Sequence, residues 1–281
     1  MTLRREAGAG GERPVWKRTI GILGGLGPHA HVELERLLLC AAERRIGRAP
    51  SDQDYAPWLL ASVPHAPDRT AALHGGASPV ETLARALRWL AGTPERPGAD
   101  FAVMACNAAH VWIEDLRREG GLPLVDVPAE ALRVAVDRIG DGATIGILGT
   151  TATIEAEVYP HAARRLGLRT KLVTLFDVLE DREEAEQLQE DLVMTPVYGS
   201  RQHGRRAGGG IKSGAPELAA APLRRAVRSL AALGATLVVL GCSEIPLALG
   251  REPVDGVPLV DPMETAAEAA IAIAAGDRPL P

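Results

Sequence analysis

The sequence feature that most constrains the fold is an internal duplication. Three pairs of segments match: TIGILG at 19–24 and 144–149, a segment ending in Cys at 98–106 and 234–242, and PLVD at 123–126 and 258–261. The Gly, Ala, Val and Cys residues of the second pair agree at an offset of 242 − 106 = 136 residues. Solenoid repeats are roughly 20–50 residues long, so this much longer period indicates two similar lobes.

Each lobe alternates apolar runs with helical patterns, which is typical of a parallel sheet. In the first lobe we predict strands at 19–23, 57–63, 101–105 and 122–127, and in the second at 143–148, at 168–176 and before Cys242. The predicted fold class is α/β, with two pseudo-symmetric lobes, each a mainly parallel sheet flanked by helices.

The duplication also suggests a division of the chain. We predict a disordered lead-in at 1–18, lobe 1 at 19–128, lobe 2 at 129–261, and a last helix within 262–281 that packs back on lobe 1. The lead-in is charged and rich in glycine, and it lacks the apolar core of a signal peptide.

Composition excludes several classes of function. The net charge is −5 and aromatic residues make up only 3% of the chain, so neither nucleic acid nor an anionic membrane is an expected partner. No apolar run reaches the roughly 18 residues of a membrane span. An odd count of three cysteines without a secretion signal predicts free thiols in a reducing compartment, the cytoplasm.

Cys106 and Cys242 are the main functional candidates. Each follows an apolar strand, and ligands of open α/β sheets bind at that edge. A helix that begins there favours the thiolate. Polar residues follow both cysteines: Asn107 after the first, Ser243 and Glu244 after the second.

Several chemistries use paired cysteines. A disulfide is not expected in a chain of this type, and the spacing lacks the C-x-x-C pairs of a zinc site, so we predict no metal. Cys106 with His110 as base would suit a nucleophilic amidase, but that leaves Cys242 unexplained. Two buried structural thiols are a further alternative. The last alternative is acid–base catalysis in which two thiols act on opposite faces of one carbon, which inverts it.

Inversion of a carbon beside a carboxylate needs other groups in addition to the two bases. General acid–base catalysis supplies only about 10²–10⁴-fold, so fixed donors must stabilise the enolate-like charge, with Asn107, Thr150 and Thr151 as candidates. The glycine turn at 24–28 lacks the G-x-G-x-x-G spacing, which favours a small carboxylate or phosphate over NAD. Arg69 is a candidate carboxylate clamp, although a surface ion pair with Asp68 is the simpler interpretation.

Six motifs, in this order, resemble the aspartate/glutamate racemase family, whose members use no pyridoxal phosphate. They are GGLGP at 24–28, DQD at 52–54, PDRT at 67–70, CNAAH at 106–110, GCSE at 241–244 and DPM at 261–263. Together they cover nearly the whole chain from Thr19 onward.

The resemblance implies an active site in the cleft between the lobes, with Cys106 and Cys242 as the acid/base pair and no organic cofactor. It implies that Arg69 and Lys212 engage carboxylates and that the substrate is a small amino acid or dicarboxylate. It also implies a homodimer. The predicted substrate-binding residues are Arg69, Asn107, Thr150, Thr151, Lys212 and Glu244.

The chain departs from the family pattern at several positions. Ala108 and Ser243 stand where threonine is usual, Val63 stands where an asparagine is common, and residues 201–210 form a basic, glycine-rich insertion that we predict to be a mobile loop. Related enzymes of this fold include cis–trans isomerases and decarboxylases, and a binding protein without turnover is the alternative outside enzymes. Two retained thiols favour inversion, so we predict an aspartate or glutamate racemase.

Overall fold

The structure, a computed structural model, describes residues 14–202, 205–206 and 208–281, with the backbone alone at 201–202 and 205–206. The first elements are β1 (Ile20–Gly24), α1 (Pro28–Ile46), β2 (Trp58–Ser62), α2 (Arg69–Leu73), α3 (Val80–Ala91), β3 (Phe101–Met104), α4 (Ile113–Gly120) and α5 (Val127–Ile139). Then follow β4 (Thr144–Ile147), α6 (Thr151–Glu155), α7 (Val158–Leu166), β5 (Lys171–Val173), α8 (Arg182–Gln189), α9 (Thr195–Tyr198), β6 (Arg201–Gln202) and β7 (Arg205–Arg206). The last are α10 (Ala220–Ala232), β8 (Leu237–Val239), α11 (Ile245–Leu249), β9 (Leu259–Val260) and α12 (Pro262–Ala275). No helix in this described part of the chain is long and apolar enough to cross a membrane.

The first sheet is built around β1. Its order is β2-β1-β3, all parallel, with Ile20 opposite both Trp58 and Phe101. Every residue of β1 is buried, as expected for a parallel strand that is covered on both faces. Helices α1 and α12 contribute to the core on one face, and α3 and α4 to the core on the other.

The second sheet repeats this plan. Its order is β5-β4-β8-β9, again parallel, and β4 lies between β5 and β8 as β1 lies between β2 and β3. The two copies of TIGILG thus supply β1 and β4, the central positions of the matching three-strand arrangements. The prediction of an α/β fold with two pseudo-symmetric lobes, each a parallel sheet flanked by helices, is confirmed.

The two copies of PLVD differ in strand content. The second copy forms β9, but the first makes only a single bridge between Leu124 and Ala102. The predicted strand at 122–127 is therefore wrong. The chain has little room to extend there, because α5 begins at Val127, directly after its N-cap Asp126.

The aspartate of each PLVD copy has the same structural role. The side chain of Asp126 accepts a hydrogen bond from the backbone N–H of Ala129 at 3.1 Å and caps α5. The side chain of Asp261 accepts one from Met263 at 2.9 Å and caps α12. Aspartate is a favoured N-cap because its side chain satisfies backbone donors of the first turn.

The capped helices α5 and α12 pack against each other, and α12 also packs on α1. The apolar side chains of α12 join the core that contains β1 and α1. The predicted boundary between residues 128 and 129 falls within the first turn of α5, so one continuous helix crosses it. The exact division into lobes stays a prediction.

The two segments predicted to lack order lie partly outside the described residues. Residues 1–13 of the lead-in are not described, but its end is held to the fold: the indole of Trp16 donates to the carbonyl of Asp54 at 2.9 Å, and the backbone N–H of Lys17 donates to the carbonyl of Ala274 at 2.8 Å. Within the insertion, β6 and β7 form a short antiparallel ribbon, while 203–204 and 207 are outside the described residues.

Candidate active site

A narrow cleft lies between the lobes and contains both candidate thiols. Cys106 follows β3 and Cys242 follows β8, the matching strands of the two sheets, and both are buried. The cleft is lined by Leu26, Arg69, Cys106, Asn107, Ala108, Thr150, Ala152, Thr153, Tyr198, Lys212, Cys242, Ser243 and Glu244. Of the eight predicted site residues, only Thr151 is missing from the lining.

His110 fixes the backbone around Cys106. Its Nδ1 lies 2.8 Å from the carbonyl oxygen of Cys106, and its Nε2 lies 3.3 Å from the backbone N–H of Val127. A carbonyl can only accept and an N–H can only donate, so the imidazole is neutral with its hydrogen on Nδ1. Burial lowers the pKa of His110, although the carboxylate of Asp126 acts in the opposite direction. His110 therefore has no free lone pair with which to act as a base for Cys106.

Asn107 presents an amide donor in the cleft. Its Oδ1 accepts a hydrogen bond from the hydroxyl of Tyr159 at 2.7 Å, which sets the orientation of the amide. Its Nδ2 is buried and has no hydrogen-bond partner among the described residues. An unpaired buried donor is costly, on the order of 1–3 kcal/mol, so a ligand oxygen at this place would be favoured.

Glu244 connects the second thiol to Lys212. One carboxylate oxygen of Glu244 accepts hydrogen bonds from Cys242 at 3.2 Å and from Ser243 at 3.1 Å, and the other pairs with the ammonium of Lys212. Burial, together with the charge of Glu244, raises the pKa of Cys242 well above its usual value. Burial disfavours the charge of Lys212, but Glu244, Tyr198 and Cys242 together outweigh this effect and raise the pKa of Lys212.

Arg69 and Lys212 converge on the turn after β1. Arg69 donates to the carbonyl of Leu26 at 2.9 Å, and the ammonium of Lys212 lies 3.5 Å from the same oxygen. A Cβ at Gly27 would overlap Oε1 of Glu244 and would lie 2.7 Å from Lys212, so glycine is needed for this close approach. The interpretation of Arg69 as a surface ion pair with Asp68 is wrong: the side chain of Asp68 caps α2 instead.

The glycine turn itself is occupied by a side chain of α1. The backbone N–H of Gly25 donates to Nδ1 of the buried His31 at 3.2 Å. A donor that the sequence suggested for a carboxylate or phosphate is thus used within the fold. What this turn offers to the cleft is the Leu26 carbonyl, which holds the two cations in place.

The hydroxyls of the second lobe come from Thr150 and Thr153. Their Oγ1 atoms are 3.2 Å apart and both side chains are buried. Residues three apart share a helix face, and Thr151 lies off that face. The lining of the cleft thus includes Thr150 and Thr153 but not Thr151.

Six lining residues are not among the predicted site residues: Leu26, Ala108, Ala152, Thr153, Tyr198 and Ser243. The spacing of Thr153 from Thr150 would have indicated it. Tyr198 lies at the end of α9, and its ring is 5.5 Å from the ammonium of Lys212. No sequence signal marks it, because the insertion separates it from Lys212 along the chain.

The cleft contains more positively charged than negatively charged side chains. Arg69 and Lys212 are its cations and Glu244 is its carboxylate. Within the described part of the chain, no group of three or more His, Cys, Asp or Glu side chains is arranged to hold a metal ion. The lining is suited to a small ligand that carries more than one carboxylate.

The fold and the cleft define a two-lobed α/β protein in which each lobe contributes one thiol to a shared site. The chain belongs to the Asp/Glu/hydantoin racemase family, whose sequence profile matches residues 23–270. This confirms the family suggested by the motifs.

Individual relatives match only parts of the chain, at modest sequence identity. The chain is 33% identical over 99 residues to the glutamate racemase of Aquifex aeolicus, a stretch that covers 35% of this chain and 39% of that protein. It is 26% identical over 152 residues to the broad specificity amino-acid racemase RacX of Bacillus subtilis, covering 53% of this chain and 61% of that one. The matched stretches thus span less than two thirds of either relative.

Solved structures superpose on this chain over almost its full length. The aspartate racemase of Picrophilus torridus superposes with a TM-score of 0.64 at 21% identity, covering 92% of this chain and 94% of that chain. Glutamate racemase RacE1 of Bacillus anthracis superposes with a TM-score of 0.55 at 17% identity, covering 95% and 85%. At these identities the likeness establishes the shared fold.

Proposed function

We propose that this protein is a cofactor-independent isomerase that racemises an acidic amino acid, aspartate or glutamate, with Cys106 and Cys242 as its two acid/base groups. The observation that carries the proposal is the position of these thiols, which follow matching strands of the two lobes and line one cleft. Membership of the racemase family supports it.

The charges of the cleft favour an acidic substrate. An acidic amino acid has two carboxylates and one ammonium, and the cleft offers two cations, Arg69 and Lys212, and one carboxylate, Glu244. In our proposal Arg69 and Lys212 bind the carboxylates, and Glu244 exchanges part of its contact with Lys212 for the substrate ammonium. A zwitterionic neutral amino acid would leave one cation without a partner.

Cys242 is proposed as the proton donor in the state described here, because its raised pKa keeps it as a thiol. Cys106, as thiolate, removes the α-proton: the C–H bond breaks and an S–H bond forms. The S–H bond of Cys242 then breaks as a new C–H bond forms on the opposite face, which inverts the carbon. The opposite enantiomer reacts with the two roles exchanged, and no net proton is consumed.

The charge that develops on the substrate carboxylate needs fixed donors. Nδ2 of Asn107 is the strongest candidate, because it is oriented by Tyr159 and has no other partner among the described residues. The hydroxyls of Thr150 and Thr153 are proposed to assist from the second lobe.

The test is deuterium exchange at the α-carbon. The reduced protein is incubated in D₂O with L-aspartate or L-glutamate, and the α-proton is followed by NMR beside chiral chromatography. We expect loss of the α-proton signal with appearance of the D-isomer. Replacing either Cys106 or Cys242 with serine should lower the rate by at least about 10²-fold. Ligand binding without exchange would contradict the proposal and select a binding protein.

Cys40 provides the matched control for these variants. Like the other two cysteines it is free, but it lies on α1, outside the cleft, with its sulfur 3.5 Å from the Arg36 guanidinium. Cys40→Ser should leave exchange unchanged. A loss of activity in this variant equal to that of Cys106→Ser would mean that the effect is not specific to the cleft.

We also propose that the protein is a cytoplasmic homodimer. The three free thiols are compatible with a reducing compartment, and the dimer is an implication of the family resemblance. Light scattering of the purified protein would test the dimer, and fractionation of the source cells would test the compartment.

A further inference from the structure

A second cavity, of about 310 Å³, lies at the junction of the two lobes and shares no lining residue with the cleft. Its walls come from α4, α5, α7, α12 and the segment after α12. The charged side chains in its lining are Arg117, Asp126, Glu130, Arg133, Arg165 and Arg278. Four guanidinium groups therefore converge on a space with two carboxylates.

These arginines are held in place and remain accessible. Glu130 accepts hydrogen bonds from Arg133 and Arg278, and Asp126 pairs with Arg165. Arg117 bonds to Glu114, at the surface, and to a backbone carbonyl. The exposed fraction of these four arginine side chains lies between 31% and 48%. Each guanidinium has five N–H donors, so donors are left for a ligand.

The equivalent region of lobe 2, around Asp261, shows that the duplicated fold does not by itself place more arginines than carboxylates at this position. Asp261 occupies the place in lobe 2 that Asp126 occupies in lobe 1. Its side chain is completely buried, and it pairs with Arg251, which also pairs with Glu33. Arg251 also lies 3.9 Å from a third carboxylate, that of Glu264, and Glu33 has a second partner in Arg36. On the side of Asp126, four arginines and two carboxylates line a cavity.

A chain of contacts connects this cavity to the cleft. Asp126 lines the cavity and caps α5. The next residue, Val127, donates its N–H to His110, and His110 donates to the carbonyl of Cys106. The carboxylate of Asp126 also acts electrostatically on His110. An anion that competes for Arg165 would therefore change the environment of the residues that hold the Cys106 backbone.

We propose that this junction cavity is a binding site for a small dianion, a phosphate group or a dicarboxylate, and that its occupancy lowers turnover in the cleft. Guanidinium groups bind both anions through paired hydrogen bonds. Apolar residues such as Leu166 and Ile273 in the same lining can contact a carbon skeleton. The effect on turnover rests on the racemase activity proposed above, but the binding does not.

Calorimetric titration of the full-length protein with inorganic phosphate and, separately, with succinate tests the binding. We expect saturable binding of at least one anion, weakened at least tenfold by Arg165→Gln and by Arg278→Gln. Arg164→Gln is the matched control, since Arg164 precedes Arg165 on α7 but pairs with Glu157 outside the cavity. Arg69→Gln separates the cavity from the cleft, where succinate can also bind as a dicarboxylate. This variant should leave unchanged the component of anion binding that Arg165→Gln weakens.

No saturable binding, or binding that is lost in Arg69→Gln but kept in Arg165→Gln, would overturn the proposal. Because two arginines from different segments are tested, one variant that fails to fold does not remove the test. The coupling is tested by turnover with and without the bound anion. Inhibition in the wild type but not in Arg278→Gln is expected, and unchanged turnover at saturation would overturn the coupling. Failure of the racemase proposal would show separately, as absence of α-proton exchange.

Discussion

Cys242 donates its thiol hydrogen to Oε2 of Glu244 at 3.2 Å, whereas the position of lobe 1 that matches Glu244 is occupied by Ala108. Two thiols that are equivalent in the duplication thus have different neighbours. Burial, together with the charge of this carboxylate, raises the pKa of Cys242 and keeps it as a thiol, and Lys212 on the other carboxylate oxygen keeps the carboxylate in place. The asymmetry lies in single residues beside the thiols and not in the backbone plan.

Replacing Glu244 with glutamine should make the Cys242 thiolate easier to form. The negative charge of Glu244 is the second cause, after burial, of the raised pKa of Cys242, and an amide removes that charge. Alkylation of Cys242 by iodoacetamide, followed by mass spectrometry, should begin at lower pH in Glu244→Gln. Ser243→Ala, which removes an uncharged donor to the same oxygen and leaves the carboxylate charge in place, should change the profile little. Superimposable profiles for the wild type and Glu244→Gln would refute this account.

Tyr159→Phe should reduce turnover by roughly tenfold, because Asn107 loses the hydrogen bond that orients its amide, an interaction of about 0.5–1.5 kcal/mol. The phenol packs in the core, so the phenyl ring keeps the apolar contacts. Steady-state kinetics with the preferred substrate measure the effect. Tyr55→Phe is the control, since its hydroxyl bonds to Glu43 on the surface, away from the cleft. Equal effects of the two variants on turnover would mean that turnover does not depend on the orientation of the Asn107 amide.

The sequence predicted the parts of the site that depend on backbone position. Cys106 and Cys242 could be placed because each follows an apolar strand, and parallel strands end at one edge. The duplication then predicted that the two edges would be equivalent, and the matching strand orders confirm this. Strand lengths were less predictable: the run at 122–127 reads as a strand, but the N-cap at Asp126 ends it.

Contacts between distant side chains could not be predicted. Lys212 pairs with Glu244, and both depend on the absence of a side chain at Gly27, a relationship that no local pattern contains. Likewise, only the fold shows that His31 of α1 accepts a hydrogen bond from the backbone N–H of Gly25. Such details arise from the packing of one element on another, which the period of hydrophobic residues does not encode.

Gly27→Ala should disrupt the ion pair of Lys212 and Glu244, because the added methyl would overlap the Glu244 carboxylate. We expect at least a tenfold rise in KM for the acidic substrate, measured by chiral chromatography. Gly256→Ala is the control: it has a φ of 83°, so alanine is strained there, but no atom lies within 4 Å of the added methyl. It should cost stability and leave KM unchanged. A normal KM in Gly27→Ala would show that the pair is not part of substrate binding.

Acidification should destabilise the protein partly through His110. Its pKa is lowered in the folded state by burial, so below the ordinary histidine pKa of about 6.5 the unfolded chain binds a proton that the folded protein does not. The stability contributed by the neutral ring is therefore present above that pH and is lost as the pH falls, by at most about 1.4 kcal/mol per pH unit. Urea unfolding between about pH 7 and pH 5.5 should show a shallower loss in His110→Gln than in the wild type. His161→Gln, on the exposed surface of α7, controls for the removal of one histidine and should keep the wild-type slope. Parallel slopes for the wild type and His110→Gln would mean that His110 takes up its proton without unfolding, contrary to the bonds that it makes to Cys106 and Val127.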